Sequence, residues 1–411
     1  MHTQSSLEPR YSSAHSGADR LNDATLVIGR GLHAPWNEGT RVIGRDLARA
    51  FGRLHPVRVV SLTPEAFRGQ HAPMLAVEHV YAPKTHSIVD DYRALPEVIN
   101  RVQAVLATHQ IRVAHLIGFP LAIAPWLRRR GIPVVAHVTL TQQVYMSNLE
   151  RLRATLAWRV FDRWIDRYAC SSQVIGTNLC ERGYRASKVT TLLPPIDTER
   201  FIHQNRAQAR AKFGMEPDAF TVVYVGTISP KRFPADEVIG ALAAAHIPDI
   251  RLEVFAPVKT HSYNVSWAEQ HVQRAVERGQ VPVRVQLLDL TDDDKTQVFS
   301  AADVVILPFT APVAVEPPLT LLEAMACETL PLVAPFANRS GIVLHGVNGY
   351  TYDSVENLVR TLQTLHQMSV EERRERGRAA RASIVAAHSF AAVGLAAEHL
   401  WTELRSQTVY S

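Results

Sequence analysis

The run Phe220–Ser229, FTVVYVGTIS, decides the fold. Its β-branched and aromatic residues stop at Gly226, the pattern of a short strand buried on both faces, as in parallel sheets. Downstream, helices and strands alternate. Asp236–Ala245 (DEVIGALAAA) reads as a helix, Ile250–Pro257 (IRLEVFAP) as a strand, Ser266–Gly279 (SWAEQHVQRAVERG) as a helix and Val283–Leu290 (VRVQLLDL) as a strand. Lys295–Phe309 (KTQVFSAADVVILPF) is a helix running into a strand, Leu319–Cys327 (LTLLEAMAC) a helix and Leu330–Phe336 (LPLVAPF) a strand. Such alternation predicts a parallel sheet with right-handed crossovers.

The same rhythm runs upstream. Ala24–Gly31 (ATLVIGRG) reads as a strand, and Thr40–Leu54 (TRVIGRDLARAFGRL) puts Val42, Ile43, Leu47, Ala50, Phe51 and Leu54 on one helical face. Val57–Leu62 is a strand, Arg101–Gln110 a helix, Val113–Phe119 a strand, Leu121–Gly131 a helix and Pro133–Leu140 a strand. Between the halves, Leu192–Phe201 (LLPPIDTERF) carries two prolines and no periodicity, so it reads as a linker. The prediction is an α/β chain of two Rossmann-like domains. The first spans 24–200 and is joined by a C-terminal helix at 391–411; the second spans 201–390. The polar stretch Met1–Asp23 lacks the apolar core of a signal peptide and reads as a disordered tail.

Composition narrows the function. With 411 residues and 46% hydrophobic side chains, the chain can build two sizeable cores. Its net charge of +5 is thin over that length, which argues against a nucleic-acid coat but allows a basic groove for a phosphorylated ligand. Cys170, Cys180 and Cys327 are too scattered for a disulfide framework or a structural zinc site. No apolar run reaches the ~18–20 residues of a membrane span. A cytoplasmic protein is expected. Gly29-Arg30-Gly31 is followed by Ala34 where a dinucleotide motif would place its third glycine. There is no Walker loop, HExxH or GxSxG.

The most informative segment is Val315–Pro335, VEPPLTLLEAMACETLPLVAP. Pro317 and Pro318 stiffen the approach to a helix beginning near Leu319 or Thr320, whose free N–H groups make a ready anion site. Glu316 precedes it and Glu323 lies a turn inside, on an otherwise apolar helix. A buried carboxylate there needs a partner, and a ribose diol is one; a solvated glutamate is the plainer reading. Gly39 opens the first helix, where a glycine lets backbone amides approach an anion, or is a simple loop glycine.

This segment resembles the donor-site motif of retaining GT-B glycosyltransferases of family 4. Other stretches agree in order: Trp164–Ser172 (WIDRYACSS) leading to the linker, Val222–Leu242 (VVYVGTISPKRFPADEVIGAL), Val298–Phe309 (VFSAADVVILPF) and Leu344–Asp353 (LHGVNGYTYD). The resemblance covers roughly Leu26 to Asp353. It implies a nucleotide-diphosphate sugar bound mainly by the second domain, and an acceptor (glycan, lipid-linked or small molecule) met by the first. The anomeric configuration would be retained, with no metal and no nucleic-acid partner. Glu323 would hold the ribose, and Glu316 would be catalytic, acting on the sugar at its anomeric carbon. The Leu319 and Thr320 amides would face phosphate or sugar, since proline has no N–H. Arg232 would contact the diphosphate.

The departures are specific. The family's two glutamates stand eight positions apart, and Glu316 and Glu323 stand seven apart. Either the loop is one residue shorter, or Val315 occupies the first-glutamate position. The family's cationic pair falls on Thr227 and Arg232, so one cation is lost. The glycine after the cysteine is Glu328, and an acidic position before the GxNG turn is Gly341. In the first domain Thr139 stands where a histidine is often found. His137, two positions earlier and on the same strand face, either compensates as a catalytic group or is a core histidine. Arg128–Arg130 and the helix Arg151–Tyr168 combine cations with aromatics, a pattern that suits a weak membrane-surface contact or a surface helix with its rings in the core. His86, Asp90, Asp91 and Tyr92 form a polar segment that could meet an acceptor. A non-catalytic GT-B binding protein, or a phosphorylase, synthase or sugar-nucleotide epimerase, remains the alternative.

Overall fold

The computed structural model describes residues 23–33, 36, 38–68, 76–82, 88–118, 121–139, 156, 159–258, 270, 272–274, 276–278 and 281–408. The expected tail lies outside these apart from Asp23, which opens the first strand; so do His86 and most of 151–158, and the side chains of Asp90 and Asp91 are likewise outside.

Two separate parallel sheets carry the architecture. The first is built from β1 (Asp23–Arg30), β2 (Val57–Pro64), β3 (Val77–Ala82), β4 (Gln110–Ile117), β5 (Val134–Val138), β6 (Arg167–Cys170) and β7 (Val189–Thr191), in the order β3-β2-β1-β4-β5-β6-β7. The second is built from β8 (Phe220–Val225), β9 (Ile250–Ala256), β10 (Val283–Leu287), β11 (Val304–Leu307), β12 (Leu330–Val333) and β13 (Tyr350–Thr351), in the order β10-β9-β8-β11-β12-β13. β1 and β4 in the first sheet, and β8 and β11 in the second, lie side by side although a whole crossover or more separates them in sequence. That is the point at which strand order reverses and α/β sheets open a crevice. This two-domain Rossmann-like arrangement is a GT-B fold.

Helices cover the faces: α1 (Gly39–Gly52), α2 (Ile88–Leu106), α3 (Ala124–Arg128) and α4 (Gln173–Glu181) in the first half, then α5 (Arg206–Phe213), α6 (Ala235–Ala244), α7 (Asp292–Ala301), α8 (Leu319–Ala326), α9 (Val355–Gln367) and α10 (Val370–His388). The chain crosses between sheets twice, side by side. Ile196 donates its N–H to the carbonyl of His388 at 2.7 Å, and Arg381 from α10 donates to the carbonyls of Thr198 and Phe201. After the second crossing α11 (Phe390–Thr408) returns to the first sheet. Its Val393, Ala397, Leu400, Trp401 and Leu404 pack with Leu47 and Phe51 of α1.

Two local features answer questions raised by the sequence. Trp126, Phe161 and Trp164 pack against the first domain's core, and Arg130 and Arg163 lie 3.6 and 3.9 Å from the rings of Trp126 and Trp164. Phe161 and Trp164 of the segment that suggested a membrane surface therefore pack on the core, Trp164 and Trp126 each with an arginine laid over the ring, and Trp158 lies outside the described residues. Among the described residues no helix is long and apolar enough to cross a membrane. Glu328, in the position that resemblance reserves for glycine, follows α8 with φ 61°, the left-handed conformation that commonly ends helices and that glycine adopts most easily.

Candidate functional site

A cleft opens at the C-terminal ends of the second sheet's strands and is closed on one side by the first domain. α1 contributes Gly39 and Val42, with Trp36 and Glu38 just before it. The second domain contributes Gly226, Thr227 and Arg232 after β8, Pro257 after β9, Leu288–Leu290 after β10, and Val315 with Pro318–Thr320 and Glu323 around the start of α8. Of the residues that the sequence assigns to the donor and the reaction, Gly39, Thr227, Arg232, Leu319, Thr320 and Glu323 thus meet here.

The start of α8 leaves donors free. Leu321 and Leu322 donate their N–H groups to the carbonyl of Pro318, and among the described residues no side chain caps the helix. Among those residues, too, the amides of Leu319 and Thr320 have no backbone acceptor, and both residues line the cleft at the positive end of the helix. Arg232 sits on the loop after β8, its own N–H held by the carbonyl and hydroxyl of Ser229 at 3.0 and 3.2 Å. Among the described residues no carboxylate pairs with its guanidinium. Thr227 offers its carbonyl to the Tyr224 hydroxyl at 2.7 Å, which fixes the turn beside it.

Glu323 is 2% exposed, and its partner in the fold is a cation that sequence reasoning missed. Lys295 Nζ donates to Glu323 Oε1 at 3.0 Å and lies 3.9 Å from Asp292. Burial pulls the lysine pKa down, but Glu323 and Asp292 outweigh it and hold the ammonium above its ordinary value. Lys295 also lines the cleft. Its signal in the sequence was weak: one lysine on an acidic helix start, Asp292-Asp293-Asp294-Lys295, which reads as a solvated face.

Two expected catalytic residues lie elsewhere. Of the adjacent pair Val315 and Glu316, Val315 lines the cleft; a Cβ on Gly39 would meet its Cγ2 at 2.8 Å, so Gly39 is small because the two domains touch there. Glu316 turns into the protein. It is fully buried, its Oε1 accepts from the Ser340 hydroxyl at 2.6 Å and its carbonyl accepts from the Ser171 hydroxyl of the first domain at 2.7 Å. Among the described residues Oε2 has no partner, and burial pushes the carboxyl pKa up. The spacing of seven therefore carries Val315, not Glu316, to the cleft wall.

His137 is a core histidine. Its Nε2 lies 2.7 Å from Nδ1 of His115, and Trp401 Nε1 of α11 donates to His115 Nε2 at 2.8 Å. Indole N–H only donates, so neutral His115 carries its proton on Nδ1 and donates to His137. Burial takes His137 down to about 3 and His115 well below its ordinary value, the latter lowered further by His137.

The pair makes stability depend on pH. Both imidazoles are neutral when folded, whereas the unfolded chain protonates them near pH 6.5. Their stabilising contribution is complete above that pH and is lost as pH falls below it, by up to ~1.4 kcal/mol per pH unit per histidine. Unfolding free energies at about pH 7.5 and pH 5 should therefore diverge less in a His115→Gln/His137→Gln chain than in the wild type. An equal drop in both chains would contradict a neutral buried pair.

Comparison with known proteins agrees with the fold. Residues 38–200 match the family described as Glycosyltransferase Family 4, and residues 219–368 match Glycosyl transferases group 1. Each half of the chain thus matches a glycosyltransferase family, in line with the resemblance read from the sequence. The chain is 31% identical over 199 residues to a D-inositol 3-phosphate glycosyltransferase of Mycobacterium sp. (strain KMS), covering 45% of this chain and 43% of that protein. It is 28% identical over 189 residues to the protein of that name from Rhodococcus jostii, covering 44% and 40%. The matches thus span less than half the length of these relatives. Among solved structures, Anabaena HepE in complex with UDP and glucose superposes with a TM-score of 0.70 at 16% identity, over 92% of this chain and 100% of that one. Sucrose-phosphate synthase from Thermosynechococcus elongatus gives 0.71 at 16% identity, over 94% and 100%. At such identities the likeness is one of fold.

Proposed function

We propose that the chain transfers a sugar, with retention of anomeric configuration, from a nucleotide-diphosphate sugar to an acceptor met by the first domain. The observation that carries this reading is the cleft itself. It joins the amides at the start of α8, the Arg232 guanidinium and the Lys295–Glu323 pair on one side to Trp36, Gly39 and Val42 on the other. In this reading the amides of Leu319 and Thr320 and the Arg232 guanidinium stabilise the departing diphosphate as its charge grows, in a site that needs no reorganisation. Glu323, held in place by Lys295, offers its remaining acceptor capacity to the ribose hydroxyls. The two domains exclude water from the reacting sugar. The acceptor is a glycan, a lipid-linked sugar or a small molecule, and would enter past Trp36 and Glu38.

One observation favours a second reading, a GT-B protein that binds without transfer. The cleft wall carries Val315 where resemblance places a glutamate, and Thr227 where it places a cation. Turnover separates the two. Purified protein given a panel of nucleotide sugars and candidate acceptors should release nucleoside diphosphate, and NMR of the product should show the donor's anomeric configuration. An inverted product would overturn retention. Tight nucleotide binding with no release on any acceptor, and no slow hydrolysis, would favour the binding protein.

A further inference from the structure

We propose that Asp289 reads the base of the donor and that this base is guanine; the inference rests on the cleft being a nucleotide-sugar site. Strand order lays out the cleft floor. β10 is the sheet edge, followed by β9, β8 and β11. The groups suited to a diphosphate, Arg232 and the α8 amides, stand after β8 and beyond β11. The Lys295–Glu323 pair, which the proposed function assigns to the ribose, bridges α7 and α8. The opposite end, after β9 and β10, is a slot of Pro257, Leu288 and Leu290, suited to a flat ring.

Among the described residues, one side chain at that end is polar and uncommitted to a cation. Asp289 lines the cleft and is exposed, and its Oδ1 accepts the N–H of Val258 at 3.2 Å, which holds the carboxylate at the strand ends. Among the described residues no lysine, arginine or histidine pairs with it, and the nearby Lys295 is held by Glu323. A carboxylate only accepts, with two oxygens side by side. Guanine presents two adjacent donors, N1–H and the N2 amino group, which match those oxygens as a charge-assisted bidentate contact. Uracil presents one N–H between two carbonyl oxygens that a carboxylate repels. Adenine and cytosine each set a donor beside an acceptor. Discrimination of this kind arises because the wrong base leaves polar groups facing without a bond.

The experiment is calorimetric binding of GDP, UDP, ADP, CDP and xanthosine diphosphate to the full chain and to Asp289→Asn. Wild type should bind GDP at least about tenfold more tightly than UDP. Asp289→Asn should lose about tenfold or more for GDP and gain for xanthosine diphosphate, because an amide offers one acceptor and one donor, the complement of xanthine's N1–H and C2 carbonyl. UDP binding as tightly as GDP, a uniform loss across the panel, or a loss of GDP with no gain of xanthosine diphosphate would each overturn the proposal. All three would leave the nucleotide-sugar reading intact. Failure of every diphosphate to bind the wild type would overturn that reading instead.

Discussion

An Arg45→Ala chain is expected to lose about 3–5 kcal/mol of unfolding free energy, the cost of leaving buried charges without their partner. Arg45 is 1% exposed although it lies on α1. Its Nε and one terminal nitrogen donate to the two oxygens of Asp46 at 2.6 and 2.9 Å, and the other terminal nitrogen donates to Asp292 of the second domain at 2.9 Å. Trp36 lies against the guanidinium, its ring centroid 5.6 Å away. Burial already pushes Asp46 up to about 6, so removing the arginine forces that carboxyl to take a proton or to sit charged in the core. The pair is one span of a longer ionic bridge between domains. Arg49 pairs with Asp197 at 2.7 Å, Arg200 with Asp293 at 2.7 Å, and Asp292 leads through Lys295 to Glu323 in the cleft. Denaturant unfolding measures the loss. An Arg45→Met/Asp46→Leu chain should recover part of it, because an apolar pair of similar size carries no desolvation cost. A loss under about 1 kcal/mol in Arg45→Ala would mean that water reaches the site and replaces the guanidinium.

That bridge also marks where sequence reading ends. Arg45 and Asp292 are 247 positions apart, and nothing local announces that they meet. In the sequence Arg45 and Asp46 are simply charged residues outside the apolar set of α1. The same limit hid Lys295, whose partner is 28 positions away, and His115, which sits in an ordinary apolar strand. By contrast β8 and β11 were plain in the sequence, because buried parallel strands are near-continuous apolar runs. Short edge strands such as Val189–Thr191 and Tyr350–Thr351 were not, since two or three residues carry no period. The free amides of α8 were legible from the two prolines alone. Which of Val315 and Glu316 faces the cleft was not: that depends on the direction in which the chain enters α8, and direction is set by packing against Ser171 and Ser340.

The second large effect is on binding, and it separates the charge of the cleft from its shape. Arg232→Ala should weaken nucleoside diphosphate binding by about 2–5 kcal/mol while leaving the corresponding nucleoside nearly unaffected. Arg232 lines the cleft and among the described residues has no carboxylate partner, so its guanidinium is available to a ligand. Its backbone is anchored independently by Ser229, so removing the side chain should not move the loop. Thr227 supplies no charge where resemblance places a second cation, so in the proposed reading the diphosphate would depend on one guanidinium and the Leu319 and Thr320 amides. With that little redundancy, one substitution should have a large effect. Arg232→Lys should recover the charge but not the planar fork, and so part of the affinity. Calorimetry with a diphosphate, a monophosphate and a nucleoside on the three chains gives the comparison. Losses that grow from nucleoside to diphosphate place Arg232 on the phosphates. Equal losses for all three ligands would place it at the base or ribose, and would leave the α8 amides as the principal anion site.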